Sequence, residues 1–257
     1  MKKLLCCACA ALALATIPTL AAASSWDGTW KLNQAKSRMT GATVTISQNG
    51  NMYTVDDGSF KFSFACDGKD YQVLSDWTIS CTGSGNSYEM ESKINGKVQS
   101  TTKRTISSDG KTLTDVETGT RPDGTAYTSH ETDARIGSGA GMAGTWKSTM
   151  VKNSAPGAFS IKVNGDVLHV EDPGYKSVSD AKLDGTPAQL KGPTAPAGLM
   201  ISNKPDGPNK LLTIVTLNGK ELGRDVMTLS ADGKTITDVS WMPGKESEKQ
   251  IYVYEKQ

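Results

Sequence analysis

The chain contains two copies of one series of short motifs, and this internal repeat limits its fold more than any other feature. Gly-Thr-Trp-Lys stands at 28–31 and again at 144–147, and Asp-Gly-Lys-Thr stands at 109–112 and again at 232–235. Further pairs keep the same order: Val44-Thr45-Ile46 with Phe159-Ser160-Ile161, Asp67-Gly68 with Asp184-Gly185, and Asn95-Gly96-Lys97 with Asn218-Gly219-Lys220. The offset drifts from 116 residues at the first motif to 123 at the last, as loop insertions between shared strands would produce. The pattern predicts two copies of one structural unit.

The division between the copies falls in a short Gly-rich stretch. Gly137-Ser138-Gly139-Ala140-Gly141 has the composition of a flexible linker. A phosphate-binding loop would need a strand before it and a helix after it, whereas the Gly-Thr-Trp-Lys that follows is typical of a strand. We therefore predict a first domain at 24–136, a linker at 137–143 and a second domain at 144–257, with the two domains separable.

Turn signals and alternating patterns predict β structure in each copy. Four Asn-Gly and eight Asp-Gly pairs supply the positive-φ residues of tight hairpins. Between them, runs such as 42–47, 60–66, 97–106 and 249–254 alternate apolar and polar residues. Roughly eight to ten short strands per copy fit an up-and-down barrel or a closed sandwich, because closure removes exposed edges. The predicted class is all-β, with two tandem antiparallel up-and-down β-barrel domains.

The two ends of the mature chain resemble a known family of barrels. Gly28-Thr29-Trp30-Lys31-Leu32 and the closing Tyr254-Glu255-Lys256 are similar to the ends of lipocalin and fatty-acid-binding (calycin) barrels. The patterns at 28–37 and 107–114 resemble secreted lipocalin-like proteins of bacteria. The resemblance implies two lipocalin-like barrels. Fatty-acid-binding proteins hold the ligand carboxylate with an Arg-x-Tyr pair near the chain end. This chain has Tyr252-Val253-Tyr254 there, so the resemblance does not extend to that anchor.

The first 23 residues are typical of an export signal. Lys2 and Lys3 precede an apolar stretch that runs to Leu20, and Ala21-Ala22-Ala23 supplies the small residues that a signal peptidase requires. We predict cleavage after Ala23 and a periplasmic or secreted location in a bacterium. No other window approaches the roughly 18 to 20 apolar residues that span a bilayer, so no transmembrane segment is predicted.

Two cysteines, Cys66 and Cys81, remain once the signal is removed. Phe60, Phe62, Phe64 and Cys66 alternate along one predicted strand, and Trp77, Ile79 and Cys81 alternate along another. Each cysteine therefore lies on the apolar face of its strand. In an oxidising compartment this predicts a Cys66–Cys81 disulfide, with two buried free thiols as the alternative.

The sequence shows no residue pattern typical of catalysis. His130 and His169 are the only histidines, and they occupy non-equivalent places in the two copies. His130-Glu131-x-Asp133 and His169-x-Glu171-Asp172 contain residue types that bind metals, but nearby polar residues on an edge or turn explain them more simply. The carboxylates look scattered through turns. We predict a non-enzymatic protein with no cofactor and no metal site.

Two functional classes fit these features. The first is an exported lipocalin-like binding protein whose barrel holds a small apolar or amphipathic molecule. The second is a protein-interaction or inhibitor module of the cell envelope, with filled barrels and functional loops. The formal net charge of +1, from 28 Lys+Arg and 27 Asp+Glu, argues against a nucleic-acid partner in either case.

Comparison of the two copies predicts where a ligand would lie. Trp30 and Trp146 each open a first strand, and we expect them to plug one end of a barrel and pack its core. An offset of 117 aligns Phe60, Phe62, Phe64 and Cys66 with Ser177, Ser179, Ala181 and Leu183. The loss of three rings leaves space that neighbours such as Leu199, Met200 and Ile201 would fill, which is the simpler explanation. The alternative is a packed first barrel and a second barrel with a pocket lined by Tyr175, Ser177, Ser179 and Ala181.

Overall fold

The computed structural model describes residues 26–74 and 76–257. The predicted signal at 1–23, with its cleavage after Ala23, lies outside the described residues. The predicted all-β class is confirmed, because two antiparallel, nearly closed ten-stranded sheets account for the described chain. Across the described residues no helix is long and apolar enough to cross a membrane.

Twenty strands make up the two sheets in the described residues. Those of the first half are β1 (Gly28–Leu32), β2 (Thr43–Asn49), β3 (Met52–Asp56), β4 (Lys61–Ala65), β5 (Asp70–Gln72), β6 (Trp77–Ser84), β7 (Ser87–Ile94), β8 (Lys97–Ile106), β9 (Thr112–Thr120) and β10 (Ala126–Ala140). Those of the second half are β11 (Ala143–Asn153), β12 (Ala158–Asn164), β13 (Val167–Asp172), β14 (Ser177–Lys182), β15 (Ala188–Gln189), β16 (Leu199–Pro205), β17 (Lys210–Leu217), β18 (Lys220–Leu229), β19 (Thr235–Trp241) and β20 (Gln250–Lys256). Short 3-10 turns lie at Gln34–Lys36 and Glu246–Glu248.

The two sheets do not coincide with the two sequence repeats. One sheet contains β2 to β11 and is a single stretch of chain from 43 to 153, which we call the contiguous barrel. The other contains β1 together with β12 to β20, and we call it the split barrel. The contiguous barrel is thus inserted between the first and second strands of the split barrel.

This arrangement arises because the repeats exchange their opening strands. Strand β1 pairs with β12 and β20 of the second repeat, with Trp30 opposite Phe159 and Lys256. Strand β11, which opens the second repeat, pairs with β2 and β10 of the first, with Trp146 opposite Val44. The expected division into domains at 24–136 and 144–257 therefore does not describe the barrels, since each barrel contains one strand of the other repeat.

The Gly-rich stretch at 137–143 explains the exchange. It completes β10 and turns at Gly141 into β11, and Ala140 pairs with Ala143 across the turn, so it is a hairpin and not a linker. A tight hairpin keeps consecutive strands in one sheet. The connection from β1 to β2, residues 33–42, is longer and lets β1 lie in a different sheet from β2.

The cores follow the barrels and not the repeats. The core of the contiguous barrel draws every buried member from 43–153. Its largest fully buried side chains are Trp146, Phe64, Leu113 and Met142. The core of the split barrel joins Trp26 and Trp30 to residues of the second half, from Ile161 to Ile236.

Each exchanged tryptophan is fully buried in the core and held in the same way. The Trp30 Nε1 donates to the Trp26 carbonyl at 3.0 Å, and the Trp146 Nε1 donates to the Met142 carbonyl at 2.9 Å. A cation from the last strand of the other repeat covers each ring, with the Lys256 Nζ of β20 5.2 Å from the Trp30 centroid and the Arg135 Cζ of β10 4.0 Å from the Trp146 centroid. These cation–π contacts join residues of different repeats.

The same contact explains the glycine of the Gly-Thr-Trp motif. Gly28 and Gly144 have φ angles of 144° and 148°, a region that residues with a Cβ rarely adopt. A Cβ at Gly28 would lie 2.6 Å from the Lys256 Cε, and one at Gly144 would collide with the Arg135 guanidinium. The glycine therefore leaves room for the cation that covers the tryptophan.

The disulfide predicted between Cys66 and Cys81 is confirmed, and it lies where the contiguous barrel closes. It joins the end of edge strand β4 to β6, and the Gly68 amide donates to the Cys81 carbonyl at 2.9 Å beside it. In the split barrel the equivalent amide of Gly185 donates to the Asn203 carbonyl at 3.0 Å, and Val178 and Lys191 form a further bridge. Cys66 and Cys81 are 15 residues apart in the sequence. Closing a loop of this length by a disulfide should add about 3 kcal/mol to the free energy of unfolding of the contiguous barrel.

Candidate functional site

The contiguous barrel encloses a cavity of about 250 Å³ with one apolar wall. Phe62 and Phe64 stack along this wall with centroids 6.2 Å apart. Other apolar residues complete it: Val44, Ile46, Val55, Trp77, Ile79 and Met90. The Cys66–Cys81 disulfide ties the end of the strand that carries Phe64 to the middle of the strand that carries Ile79, so it holds the two parts of this wall together.

The opposite wall of this cavity is polar and is built on β8 and β9. Arg104 and Asp115 face each other in register and form a bidentate ion pair, with the Arg104 Nε donating to Asp115 Oδ1 at 2.8 Å and the Nη2 to Oδ2 at 2.6 Å. Their side chains are only 16% and 15% exposed. Glu117 continues the face and accepts a hydrogen bond from the Tyr127 hydroxyl at 2.7 Å. Parallel donation of this kind holds a guanidinium in one orientation.

Two more carboxylates face the same interior from β10. Glu131 lies directly opposite Asp115, and Asp133 follows it two residues later on the same face. Burial, together with the nearby carboxylates of Asp133 and Asp115, raises the pKa of Glu131 to about 7. Burial and Asp115 likewise raise the pKa of Asp133 to about 6. The interior therefore holds four acidic side chains around one arginine.

The split barrel presents the same positions with different charges. Asp238 occupies the place of Asp115, but Met227 lies opposite it where the contiguous barrel has Arg104. Asp225, two residues before Met227, lies on the same strand face and close to Asp238. Burial raises the pKa of both carboxyl groups, and the Asp238 charge adds to the effect on Asp225. Two neighbouring carboxyl groups thus stand here in place of an ion pair.

Tyrosines replace the acids on the last strand of the split barrel. Tyr252 lies opposite Asp238, at the position of Glu131, and Tyr254 stands at the position of Asp133. Burial raises the pKa of Tyr252 to about 12. The Tyr254 ring packs edge-on against Phe159 with centroids 4.8 Å apart. The polar face of this barrel is therefore narrower and is centred on Asp225 and Asp238.

A second cavity, of about 270 Å³, reaches Asp225 from the junction of the two barrels. Ser240 and Gln250 line it beside Asp225, and Trp241, Val215 and Leu222 form its apolar side. The junction is held by hydrogen bonds between the barrels. The Lys245 Nζ donates to the Thr43 carbonyl at 2.6 Å, and the Thr43 amide donates to Glu248 Oε2 at 2.8 Å.

The four residues that the sequence comparison assigned to a pocket border neither of these cavities. Ser179 and Ala181 are buried on β14, while Tyr175 is 44% exposed in the turn before it, with its ring 5.5 Å from the Arg121 Cζ. Gly192 lies so close to Ser177 that a Cβ on it would be 3.0 Å from the Ser177 Cβ, so the loop after β15 covers this strand.

The phenylalanine face, expected to fill the first barrel, instead borders a cavity. Barrel diameter grows with strand number, so in a ten-stranded barrel the rings of one strand leave space on the far side. Side-chain volume on a single strand therefore does not determine how full the interior is.

The interior carboxylates were missed in the sequence, although a signal for them exists. Asp115 and Glu117 are two residues apart, as are Glu131 and Asp133, and in a strand this spacing places each pair on one face. The impression that carboxylates lie only in turns is wrong for these four. Both histidines lie apart from them: His130 is exposed on β10, and the His169 Nδ1 is 2.7 Å from Asp180 Oδ1. Among the described residues no three His, Cys, Asp or Glu side chains are grouped as metal ligands.

Comparisons of this chain with protein-family models, curated proteins and solved structures find no match.

Proposed function

We propose that this is an exported, non-enzymatic binding protein that holds a small amphipathic molecule inside the contiguous barrel. The cavity between Phe62 and Arg104 supports the proposal most directly, because it has one apolar wall and one charged wall. Ligand pockets in proteins combine these features, apolar surface for affinity and a few fixed polar groups for orientation.

The guest's apolar part would lie against Phe62, Phe64 and Ile79, and its polar end would meet the wall of Arg104, Asp115 and Glu117. Arg104 and Asp115 are already paired with each other, so they offer hydrogen bonds to a guest without an uncompensated charge. The volume of about 250 Å³ indicates a guest at or below the lower end of the roughly 300–1,000 Å³ of ligand pockets.

Binding of a neutral apolar dye tests this proposal. N-phenyl-1-naphthylamine, whose fluorescence rises in apolar surroundings, is expected to bind the full chain. Thr102 lines the cavity, so Thr102→Phe should fill it and weaken dye binding by about tenfold or more, which corresponds to about 1.4 kcal/mol.

The matched control is Thr101→Phe, because the adjacent residue on β8 points to the opposite face of the sheet. This variant should bind the dye as the wild type does. Equal loss of binding in both variants, or no binding by the wild type, would refute the proposal and favour an interaction module with filled barrels.

A further inference from the structure

The contiguous barrel supplies its own cation to an interior carboxylate, and the split barrel does not. Strands β8 and β9 bring the Arg104 guanidinium onto both oxygens of Asp115, at 2.8 and 2.6 Å. Strands β18 and β19 have the same register, yet Met227 stands opposite Asp238. The chain thus shows, in its own other barrel, that this position accommodates a guanidinium bound by a carboxylate.

Asp238 has an acceptor atom that the protein leaves unused. Its Oδ1 is buried and has no hydrogen-bond partner among the described residues. Thr213 lies opposite Asp225 across β17 and β18, but its Oγ1 donates to Asn203 Oδ1 at 3.0 Å. A buried acceptor without a donor is costly, and such atoms are uncommon in folded proteins.

The two cations that line the second cavity, Arg224 and Lys245, are paired with acids, and Lys249 lies over the Trp241 ring with its Nζ 4.4 Å from the centroid. Arg224 forms a bidentate ion pair with Glu221, with both distances 2.7 Å. The Lys245 Nζ lies 3.8 Å from Glu248 Oε2 and donates to Thr43. Of the two interior carboxyls, Asp225 lines this cavity, and Asp238 lies next to it on β19, two residues before Ser240.

From these observations we propose that the split barrel contains a second binding site, for a small organic cation whose ammonium or guanidinium group is held by Asp225 and Asp238. The apolar part of the cation would lie in the cavity of about 270 Å³, against Trp241, Val215 and Leu222. Ser240 and Gln250 line the path beside Asp225 and offer further hydrogen bonds. An organic cation fits better than a metal ion, because no third acidic or histidine ligand joins the pair in the described residues. The site extends the proposed binding function to the second barrel.

Calorimetric titration of the full chain with phenethylammonium tests the site, with the neutral isostere 2-phenylethanol as the comparison ligand. We expect phenethylammonium to bind at least about tenfold more tightly than the alcohol, since only the cation gains charge-assisted hydrogen bonds. Asp238→Asn should remove most of that preference. Asp166→Asn, a matched change at an exposed turn, should preserve it.

Met227→Arg provides a second and independent variant. It copies the arrangement of Arg104 and Asp115, so the chain's own guanidinium should occupy the site and abolish phenethylammonium binding. Dye binding to the contiguous barrel is measured on the same samples. Because the two ligands report on different barrels, failure of one proposal can be distinguished from failure of the other. Absence of phenethylammonium binding by the wild type, or binding that Asp238→Asn and Met227→Arg both leave unchanged, would overturn the inference.

Discussion

A fragment of residues 43–153 is expected to fold alone, whereas the sequence repeats 24–136 and 144–257, expressed separately, are expected to be unfolded. The fragment 43–153 retains ten consecutive paired strands, the Cys66–Cys81 disulfide and every buried member of its core cluster. The repeat 24–136 lacks β11, and with it the fully buried Met142 and Trp146. Loss of a buried tryptophan alone costs about 3–5 kcal/mol, a large part of the roughly 5–15 kcal/mol that stabilises a domain.

Circular dichroism and urea unfolding of the three fragments check this prediction. We expect β-type spectra and a cooperative transition for 43–153 only. The sequence alone predicts the reverse, namely two separable domains cut within 137–143. Cooperative unfolding of both repeats, with none for 43–153, would show that the strands are not exchanged.

Replacement of Arg104 by methionine is expected to destabilise the contiguous barrel by about 3–5 kcal/mol, because it leaves Asp115 buried without its partner. The loss should be greater at pH 8 than at pH 5. A carboxyl group with a raised pKa in the folded state costs stability as pH rises from its unfolded pKa, near about 4, through its folded pKa. Glu131 and Asp133, with pKa values of about 7 and about 6, carry protons at pH 5 and ionise by pH 8. The variant then has four anions and no cation in that interior.

Urea unfolding at the two pH values measures the effect. Lys103→Met is the matched control, since Lys103 is the exposed neighbour of Arg104 on β8 and should lose little stability at either pH. Arg104→Met combined with Asp115→Asn should recover part of the loss, because it removes the unpaired charge. A loss that is equal at both pH values, or greater at pH 5, would contradict the assigned electrostatics.

The fold class and the disulfide could be predicted because both depend on local pattern. Alternation places Cys66 and Cys81 on inward faces, and the Asn-Gly and Asp-Gly pairs mark most hairpins. Strand exchange could not be predicted from such patterns. The strands that begin near Gly28 and Gly144 carry the same motif, so the motif alone does not indicate which barrel each strand joins. The choice depends on connection length, with a hairpin at Gly141 and ten residues between β1 and β2.

The candidate sites were harder to predict because they depend on which strands become neighbours. Arg104 follows Lys103 in a polar run and resembles a surface residue until β9 places Asp115 opposite it. The Asp225–Asp238 pair likewise forms only across β18 and β19. Volume comparison of single strands pointed to Ser179 and Ala181, which the structure shows to be buried on β14.

Cysteine cross-linking tests the exchange of opening strands most directly. Thr29 lies opposite Ser160 in the split barrel, while Thr45 of the contiguous barrel lies opposite Thr145. Without exchange, Thr29 would take the place of Thr145 and face Thr45. Mild oxidation of the Thr29→Cys and Ser160→Cys double variant should therefore form a cross-link within one chain, whereas the Thr29→Cys and Thr45→Cys double variant should form none. Cys66 and Cys81 remain bonded to each other in both variants and do not interfere. A cross-link in the second variant and none in the first would contradict the exchanged architecture.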